Sequence, residues 1–271
     1  MLQDLTFGQY YETSSFVHKL DPRIKILLLI AYIVFVFVAK SFYGLLALAL
    51  FLIIATIFSK IPFFDMLKSI KAVAFIIVFT LVLNVFFYSS NEEPIFWIIT
   101  KEALLFSAFM ALRLIILVLG SVLLTFTTTP VALTDGIESL LSPLKVVKFP
   151  VHELALVMSI ALRFIPILMN EADRIIMAQK ARGADFDSGN LIKKAKAMIP
   201  VLIPLLISSF RRAEELGDAM DSRCYSSSAV RTKYKKLKFG VRDLVAVVFS
   251  TIMFAVVIYI NLNGGVLWEY F

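Results

Sequence analysis

Two tripeptides with a central arginine recur about forty residues apart in this chain. They are Ala181-Arg182-Gly183 and Ser222-Arg223-Cys224. A guanidinium group carries a permanent charge and a planar fork of donors, which suits binding of carboxylates or backbone carbonyls on a partner. Small neighbouring residues let that partner approach the backbone. The pattern indicates two equivalent contacts, although helix-end arginines can also bond the last carbonyls of their own helix, at a gain of about 0.3 to 1 kcal/mol.

Signatures of catalysis and of metal binding are few. The sequence has no Walker-type glycine-lysine loop, no HExxH motif and only two histidines, His18 and His152, which lie far apart. Its single cysteine, Cys224, excludes an intrachain disulfide framework and a metal site built from cysteines. We therefore predict a non-catalytic protein that holds no metal and no cofactor.

The composition is that of a polytopic membrane protein. Of 271 residues, 60% are hydrophobic and 25 are Phe, and the mean hydropathy is +0.87. Two of the apolar runs are short against the roughly 20 residues of a span. We expect them to tilt, to be flanked by snorkelling Lys25 and Lys60, or to form a hairpin that turns at Lys40 to Gly44. Five runs predict five membrane helices, at about 26–39, 45–58, 72–88, 103–126 and 244–262.

Basic residues predict the orientation in the membrane. Lys and Arg number 3 in residues 1–25, 3 in residues 59–71 and 18 in residues 127–242. Because cytoplasmic loops are enriched in these residues, the N-terminus and the long insert are predicted to be cytoplasmic, and the acidic loop 89–94 to be outside. The net charge of +7 is therefore assigned to loops, and no nucleic-acid partner is predicted.

The insert contains two long amphipathic helical patterns, each ending at an arginine tripeptide. Apolar residues recur at spacings of three and four from Glu153 to Lys180 and again from Lys194 to Asp221. Interior prolines are expected to bend these helices or to fix their starts. A shorter helix is predicted from Asp135 to Leu144, with Thr134 as its N-cap and Pro143 marking its end.

One charged residue lies inside an apolar run. Arg113 is central in the fourth run, where an arginine costs roughly 2.5 to 3.5 kcal/mol on insertion scales. We expect it to face a protein partner or a water-filled crevice, and a functional and a structural contact are equally compatible with its position. Met158 lies on the first amphipathic face, where it either fills a core or lets the face adapt to several partners.

The sequence resembles the transmembrane T component of energy-coupling factor (ECF) transporters, which are ATP-driven importers of vitamins and metal ions. The resemblance spans essentially the whole chain. The most specific matches are the two stretches that precede and include the first arginine tripeptide. The residues that carry it are Phe7-Gly8-Gln9-Tyr10, His18-Lys19-Leu20-Asp21-Pro22-Arg23, Thr127-Thr128-Thr129-Pro130, Ser159-Ile160-Ala161-Leu162-Arg163-Phe164-Ile165-Pro166 and Ala178-Gln179-Lys180-Ala181-Arg182-Gly183-Ala184.

The resemblance implies a scaffold in the cell membrane. It holds a membrane-embedded, substrate-binding S component, here expected to be exchangeable, and docks on two ABC-type ATPase subunits through crossed coupling helices. ATP is bound by those partners. Arg182 and Arg223 would each enter a groove on one ATPase, with Ala181, Gly183, Ser222 and Cys224 beside them. Residues assigned to S-component contact or to structure are Asp21, Pro22, Arg23, Arg113, Met158, Arg163 and Pro166.

One position departs from the family pattern. The second tripeptide of the family commonly ends in glycine, and this chain has Cys224. The backbone turn there is therefore expected to differ from the first.

The predicted fold is an all-α polytopic membrane protein with about five transmembrane helices and a cytoplasmic domain of long amphipathic coupling helices. The predicted domains are 1–126, a transmembrane region; 127–240, the coupling-helix domain; and 241–271, a last transmembrane helix. Two alternatives remain open. One is a self-sufficient carrier or membrane enzyme with Arg113, Asn84 and the threonines at the end of the fourth run, Thr125 and Thr127 to Thr129, lining a solute cavity. The other is a conventional ABC importer permease. The transported solute cannot be read from this chain.

Overall fold

The predicted all-α fold is confirmed. A computed structural model of the chain describes residues 10–87, 100–147, 149–184, 186, 190–226 and 239–263. These residues contain helices and connecting turns but no strand. The helices are α1 (Pro22–Val38), α2 (Phe42–Ser59), α3 (Phe63–Phe87), α4 (Lys101–Thr127), α5 (Pro130–Leu141), a 3₁₀ segment (Ser142–Val147), α6 (Val151–Ala181), α7 (Leu191–Asp221) and α8 (Val241–Asn263). The predicted outside loop 89–94 lies outside the described residues.

Five of the described helices are long and apolar enough to cross a membrane, which supports a multi-pass membrane protein. They are α2, α3, α4, α6 and α8. The number agrees with the prediction but the membership differs. Helix α1 has only 17 residues, at the lower limit for a span. Helix α6 qualifies because its first 18 residues contain only two charged side chains, Glu153 and Arg163, whereas four follow Leu168.

The chain divides into two compact units. The first, here called the membrane bundle, contains α1 to α5 and α8. The second begins at Leu141 and contains α6 and α7, and we call it the coupling unit. The domain boundaries drawn from the sequence, at 126 and 240, stay a prediction.

The membrane bundle is built around α4. Helices α1, α2 and α3 all pack on α4, and α8 packs on α1 and α2. Stacked aromatic rings fill the centre, with the ring centroids of Phe35 and Phe254 4.2 Å apart. The largest fully buried side chains of the bundle are Leu45, Leu48, Met66, Ile116, Val36 and Val257. Helix α1 therefore belongs to the bundle by its packing, despite its length.

A close approach inside the bundle requires a glycine. A Cβ atom built on Gly120 of α4 would lie 2.5 Å from Cε1 of Tyr32 on α1. The Tyr32 ring is itself buried, and its hydroxyl donates to the carbonyl of Ile116, 3.3 Å away. Gly120 thus provides the space into which Tyr32 fits.

Helix α5 starts earlier than the sequence indicated. The predicted N-cap, Thr134, lies inside the helix and donates its hydroxyl to the carbonyl of Pro130 at 3.0 Å. The capping side chain is Thr129, whose hydroxyl oxygen accepts from the backbone N–H of Ala132 at 3.2 Å. Proline at the first helical position is pre-organised for a helix start, which explains the earlier beginning.

Helices α6 and α7 each contain 31 residues, about 46 Å at 1.5 Å per residue. They pack against each other. Pro166 lies inside α6, and Pro200 and Pro204 lie inside α7, so none of these prolines marks a helix start.

Candidate functional site

The C-terminal end of α6 closes on its own backbone. The N–H of Gly183 donates to the carbonyl of Lys180 at 3.0 Å, and the N–H of Ala184 donates to the carbonyl of Gln179 at 3.0 Å. Gly183 has φ +88°, the left-handed conformation that this type of helix ending needs. The turn places Arg182 at the last position before the chain reverses.

The C-terminal end of α7 repeats this geometry 41 positions later. The N–H of Cys224 donates to the carbonyl of Asp221 at 2.9 Å, and the N–H of Tyr225 donates to the carbonyl of Met220 at 3.0 Å. Cys224 takes the position of Gly183, with φ 55°. The expectation of a different turn is therefore wrong, because the surrounding hydrogen bonds impose the left-handed conformation on a cysteine as well.

The two arginines lie beside these turns at the surface of the protein. Arg182 and Arg223 are both exposed, and neither guanidinium makes a hydrogen bond or an ion pair with any residue that the structure describes. The helix-terminal carbonyls already accept backbone N–H groups. The simple alternative, in which each arginine bonds its own helix end, does not apply.

Small exposed residues flank both arginines. Ala181 and Gly183 border Arg182, and Ser222 and Cys224 border Arg223; all four are exposed. A partner surface can therefore reach the backbone on either side of each guanidinium. We call residues 181–183 and 222–224 the arginine ends. Each offers five donors in a planar fork to carboxylates or carbonyls of another molecule.

The Asp21-Pro22-Arg23 stretch forms the start of α1. The carboxylate of Asp21 caps the helix by accepting from the N–H of Arg23 at 2.9 Å, and Pro22 occupies the first turn. The N–H of Asp21 donates to the carboxylate of Asp243 in α8 at 2.8 Å. The guanidinium of Arg23 lies 5.7 Å from the centroid of the Phe239 ring. These contacts join α1 to the beginning of α8 and give the stretch a structural role.

Lys25 does not snorkel. It is 7% exposed, and its ammonium donates to the carbonyl of Thr127 at 2.8 Å, to the hydroxyl of Thr128 at 3.1 Å and to the carbonyl of His18 at 3.2 Å. Because the last carbonyls of a helix lack intrahelical donors, this ammonium caps the C-terminal end of α4. The correction arises because the sequence does not show that α4 ends beside α1.

Arg113 makes its contacts within the bundle. Its Nη2 donates to the carbonyl of Ala39, the C-cap of α1, at 2.7 Å. The guanidinium also lies 4.8 Å from the centroid of the Phe109 ring on its own helix. Its cost in an apolar environment is thereby offset by a helix-end carbonyl and an aromatic face.

The remaining sequence candidates lie on α6. Arg163 and Pro166 are exposed and Met158 is half-buried. None of the three side chains makes a hydrogen bond or an ion pair with a residue that the structure describes. Their assignment to S-component contact stays a prediction.

A cavity of about 380 Å³ opens into the membrane bundle between α1, α2, α4 and α8. Its polar lining groups already donate within the protein. Lys25 caps α4, the Tyr32 hydroxyl donates to Ile116, and the hydroxyls of Thr127 and Ser250 donate to the carbonyls of Leu123 and Ala246 at 2.8 Å each. The donor hydrogens of these four groups are therefore used within the bundle; Thr127 lines the cavity, and Arg113 and Asn84 do not.

Within the described residues, no group of three or more His, Cys, Asp or Glu side chains could hold a metal ion. That the chain uses no metal and no cofactor stays a prediction.

Comparison with known proteins identifies the family of this chain. The cobalt transport protein family (CbiQ) matches residues 13–234. The energy-coupling factor transporter transmembrane protein EcfT of Clostridium kluyveri is 50% identical over 250 residues, which cover 91% of this chain and 93% of that protein. The chain belongs to the EcfT family. EcfT of Ruminiclostridium cellulolyticum is 48% identical over 260 residues, 93% of this chain and 96% of the relative. EcfT of Bacillus subtilis is 42% identical over 264 residues, 96% of this chain and 98% of the relative.

Two structurally important groups were missed by the sequence reasoning. Asp243 accepts from the N–H groups of Asp21 and Gly240, both at 2.8 Å, and so caps α8 while joining it to α1. The sequence feature that could have indicated this role is an aspartate three residues after Gly240, at the start of an apolar run. The other group is an ion pair between Glu171 and Arg212 on the two coupling helices, which no spacing within one helix could indicate.

Proposed function

We propose that this protein is the transmembrane coupling subunit of an ATP-driven ECF importer for vitamins or other micronutrients. Its arginine ends bind two ABC-type ATPase subunits, one each, and its membrane part holds a substrate-binding S component. The chain hydrolyses nothing itself. Movement of the ATPases on ATP binding and hydrolysis displaces the arginine ends, and α6 and α7 transmit that displacement to the S component.

The observation that carries the proposal is the equivalence of the two arginine ends. Gly183 and Cys224 adopt the same left-handed turn, closed by the same pair of backbone hydrogen bonds. Both leave a guanidinium exposed and unbonded within the described chain. Two matching, pre-formed cationic ends suit two related partners, since the donors do not have to be released from another contact before binding.

A second surface of the coupling unit suits a membrane-embedded partner. Large apolar side chains of α7 that are between 49% and 63% exposed form one face of the helix, and with 3.6 residues per turn this face lies on the opposite side of the helix from Arg212, which bonds α6. A patch of this kind marks an interaction surface. We assign it to the S component. Its residues are Ile199, Leu202, Ile203, Leu206, Ile207 and Phe210.

The proposed location is the cell membrane, with the N-terminus and the arginine ends of α6 and α7 in the cytoplasm. The excess of basic residues in the insert supports this orientation, and it is the side on which ATP is available.

The bundle cavity argues against a self-sufficient carrier. A solute site needs a small number of convergent polar groups that are available to the ligand. Here the ammonium of Lys25 and the hydroxyls of Tyr32, Thr127 and Ser250 are all used within the bundle. A conventional permease would contain its own solute path and usually pair with an identical copy, so the number of copies per complex separates that alternative.

Removal of both guanidiniums tests the proposal. In the assembled transporter, Arg182→Ala with Arg223→Ala should release the ATPases and abolish uptake, because each lost arginine leaves buried acceptors unpaired at a cost of about 2 to 5 kcal/mol. Co-purification of the ATPases and solute uptake in vesicles are the measurements. Arg174→Ala with Arg211→Ala is the matched control, since both of these arginines are exposed on the same helices but away from the ends.

Full retention of both ATPases with normal uptake in the double variant would refute the assignment. Arg182→Lys should also weaken docking, because lysine lacks the planar fork. Unchanged docking with lysine would mean that charge alone is recognised.

A further inference from the structure

An ion pair joins the two coupling helices at equivalent positions. Nη2 of Arg212 lies 3.3 Å from Oε2 of Glu171. The two residues are 41 positions apart, which is also the separation of Arg182 and Arg223. The contact therefore connects the same position of both helices, when each is counted back from its own arginine end.

The ion pair divides each helix at the same distance from its end. Glu171 precedes Arg182 by 11 positions, and Arg212 precedes Arg223 by 11 positions. At 1.5 Å per residue this is about 16 Å of helix on each side. We call residues 172–181 the α6 arm and residues 213–222 the α7 arm.

The two arms are exposed segments that contain no proline. No residue of either arm is buried, and every proline inside the two helices, at 166, 200 and 204, precedes the ion pair. Because sharp kinks arise mostly at proline, the arms behave as straight segments. The contact between Glu171 and Arg212 thus lies at the point where two exposed, proline-free arms begin.

We infer that Glu171 and Arg212 form the fixed point about which the arginine ends move, and that both are positioning residues for Arg182 and Arg223. This inference rests on the proposed function. A partly exposed ion pair contributes little to stability, so its value is geometric. The ion pair sets the register of α6 against α7. Because the two arms are equally long, a displacement of one arginine end then moves the other end, instead of making α6 slide along α7.

Charge reversal provides the test in the assembled transporter. Glu171→Arg and Arg212→Glu each place like charges opposite one another, and the double variant restores an ion pair of reversed sense. Each single variant should retain both ATPases and their hydrolysis, while solute uptake per ATP falls by about five-fold or more, the lower end of the range for loss of coupling between two sites. The double variant should recover most of the uptake. Glu214→Arg is the matched control, an exposed acid-to-base change on the α7 arm.

Normal uptake in both single variants would overturn the inference, and so would a double variant no better than the worse single one. These failures are distinct from failure of the proposed function, which is judged by whether the Arg182 and Arg223 variants release the ATPases. If a reversal prevents assembly, the neutral changes Glu171→Gln and Arg212→Gln replace it, with the same expected separation of hydrolysis from uptake.

A distance measurement gives a second readout that does not depend on transport. Cys224 is the only cysteine of the chain, so Cys224→Gly provides a cysteine-free background. Spin labels at Ala178→Cys and Ala219→Cys occupy exposed, equivalent positions on the two arms. The distance between them should be narrowly distributed when Glu171 is present and broad with Glu171→Arg. An unchanged distribution would show that the ion pair does not hold the arms.

Discussion

Two basic side chains beside helix ends are bonded in the membrane bundle, whereas Arg182 and Arg223, at the ends of α6 and α7, are unbonded within the described residues. In the bundle, Lys25 and Arg113 bond helix-end carbonyls, with Lys25 capping α4 and Arg113 capping α1. In the coupling unit, the ends of α6 and α7 are closed by their own backbone N–H groups. Arg182 and Arg223 are therefore free for a partner, because the capping that would have occupied them is done by the turn.

This difference follows from where each helix end lies. A carbonyl in an apolar environment cannot be hydrated, so a protein donor must satisfy it, and a buried cation needs such acceptors in return. An exposed helix end has water available and needs only a compact turn. Basic groups in the bundle therefore satisfy buried carbonyls, whereas those at the arginine ends are left exposed.

The largest expected effect on stability comes from replacing one basic side chain in each region by methionine, an apolar side chain of similar length. Lys25→Met removes the donor of three hydrogen bonds and should lower the free energy of unfolding by roughly 3 kcal/mol, because buried acceptors are left unpaired. Arg182→Met should change it by less than about 0.5 kcal/mol, as for other exposed positions. Denaturant titration in detergent measures both. Equal losses would mean that the two regions do not differ in this way.

Replacing a glycine by alanine should change stability in opposite directions in the two regions. Gly120→Ala places a Cβ 2.5 Å from the Tyr32 ring and should destabilise the bundle by about 1 to 3 kcal/mol. Gly217→Ala in α7 meets no atom within 4 Å and should stabilise that helix by about 0.5 to 1 kcal/mol, since alanine favours helix more than glycine does. Thermal unfolding of the two variants gives the comparison. A stabilising Gly120→Ala would show that Tyr32 can move aside.

The sequence predicted the elements better than their contacts. Periodicity located α6 and α7 within three residues of their observed ends, because amphipathic spacing and the arginine tripeptides are local signals. The membrane helices were also located, but each was predicted too short, since the runs were counted only over apolar residues. Lys101, Asp65 and Arg242 all lie inside helices.

What the sequence could not indicate were contacts between distant segments. Lys25 was expected to snorkel because nothing in its neighbourhood shows that Thr127 lies beside it. The turn at Cys224 was expected to differ because cysteine disfavours a left-handed backbone, yet the hydrogen bonds around it require one. In both cases a preference of one residue was overridden by a partner elsewhere in the fold.

The two arginine ends offer a smaller and symmetrical test. Cys224→Gly should relieve the cost of the left-handed conformation and stabilise the α7 end by up to about 1 kcal/mol, whereas Gly183→Ala should introduce that cost at the α6 end. Amide hydrogen exchange at residues 184 and 225 reports the two closing bonds. Slower exchange at 225 and faster exchange at 184 are expected, and changes of the same sign would show that the turns are not equivalent.

The smallest expected effect concerns His18, in the segment before α1. In the neutral ring, Nε2–H donates to the carbonyl of Tyr11 at 2.9 Å, and Nδ1 accepts from the hydroxyl of Ser15 at 2.6 Å.

Burial lowers the pKa of His18, and the nearby charge of Lys25 lowers it further, although the Tyr11 carbonyl opposes this. Because the folded pKa lies below 6.5, the unfolded state binds more protons just below that pH, so stability is present at neutral pH and declines as the pH falls through 6.5 and below. Intrinsic amide exchange slows between pH 7 and pH 5, because it is catalysed by hydroxide. The exchange rate of residues 11–20 should fall by less than the intrinsic rate does, and His18→Gln should remove that excess exchange. If the excess exchange persists in the His18→Gln variant, the pH dependence belongs to another group and His18 does not titrate with the stability of this segment.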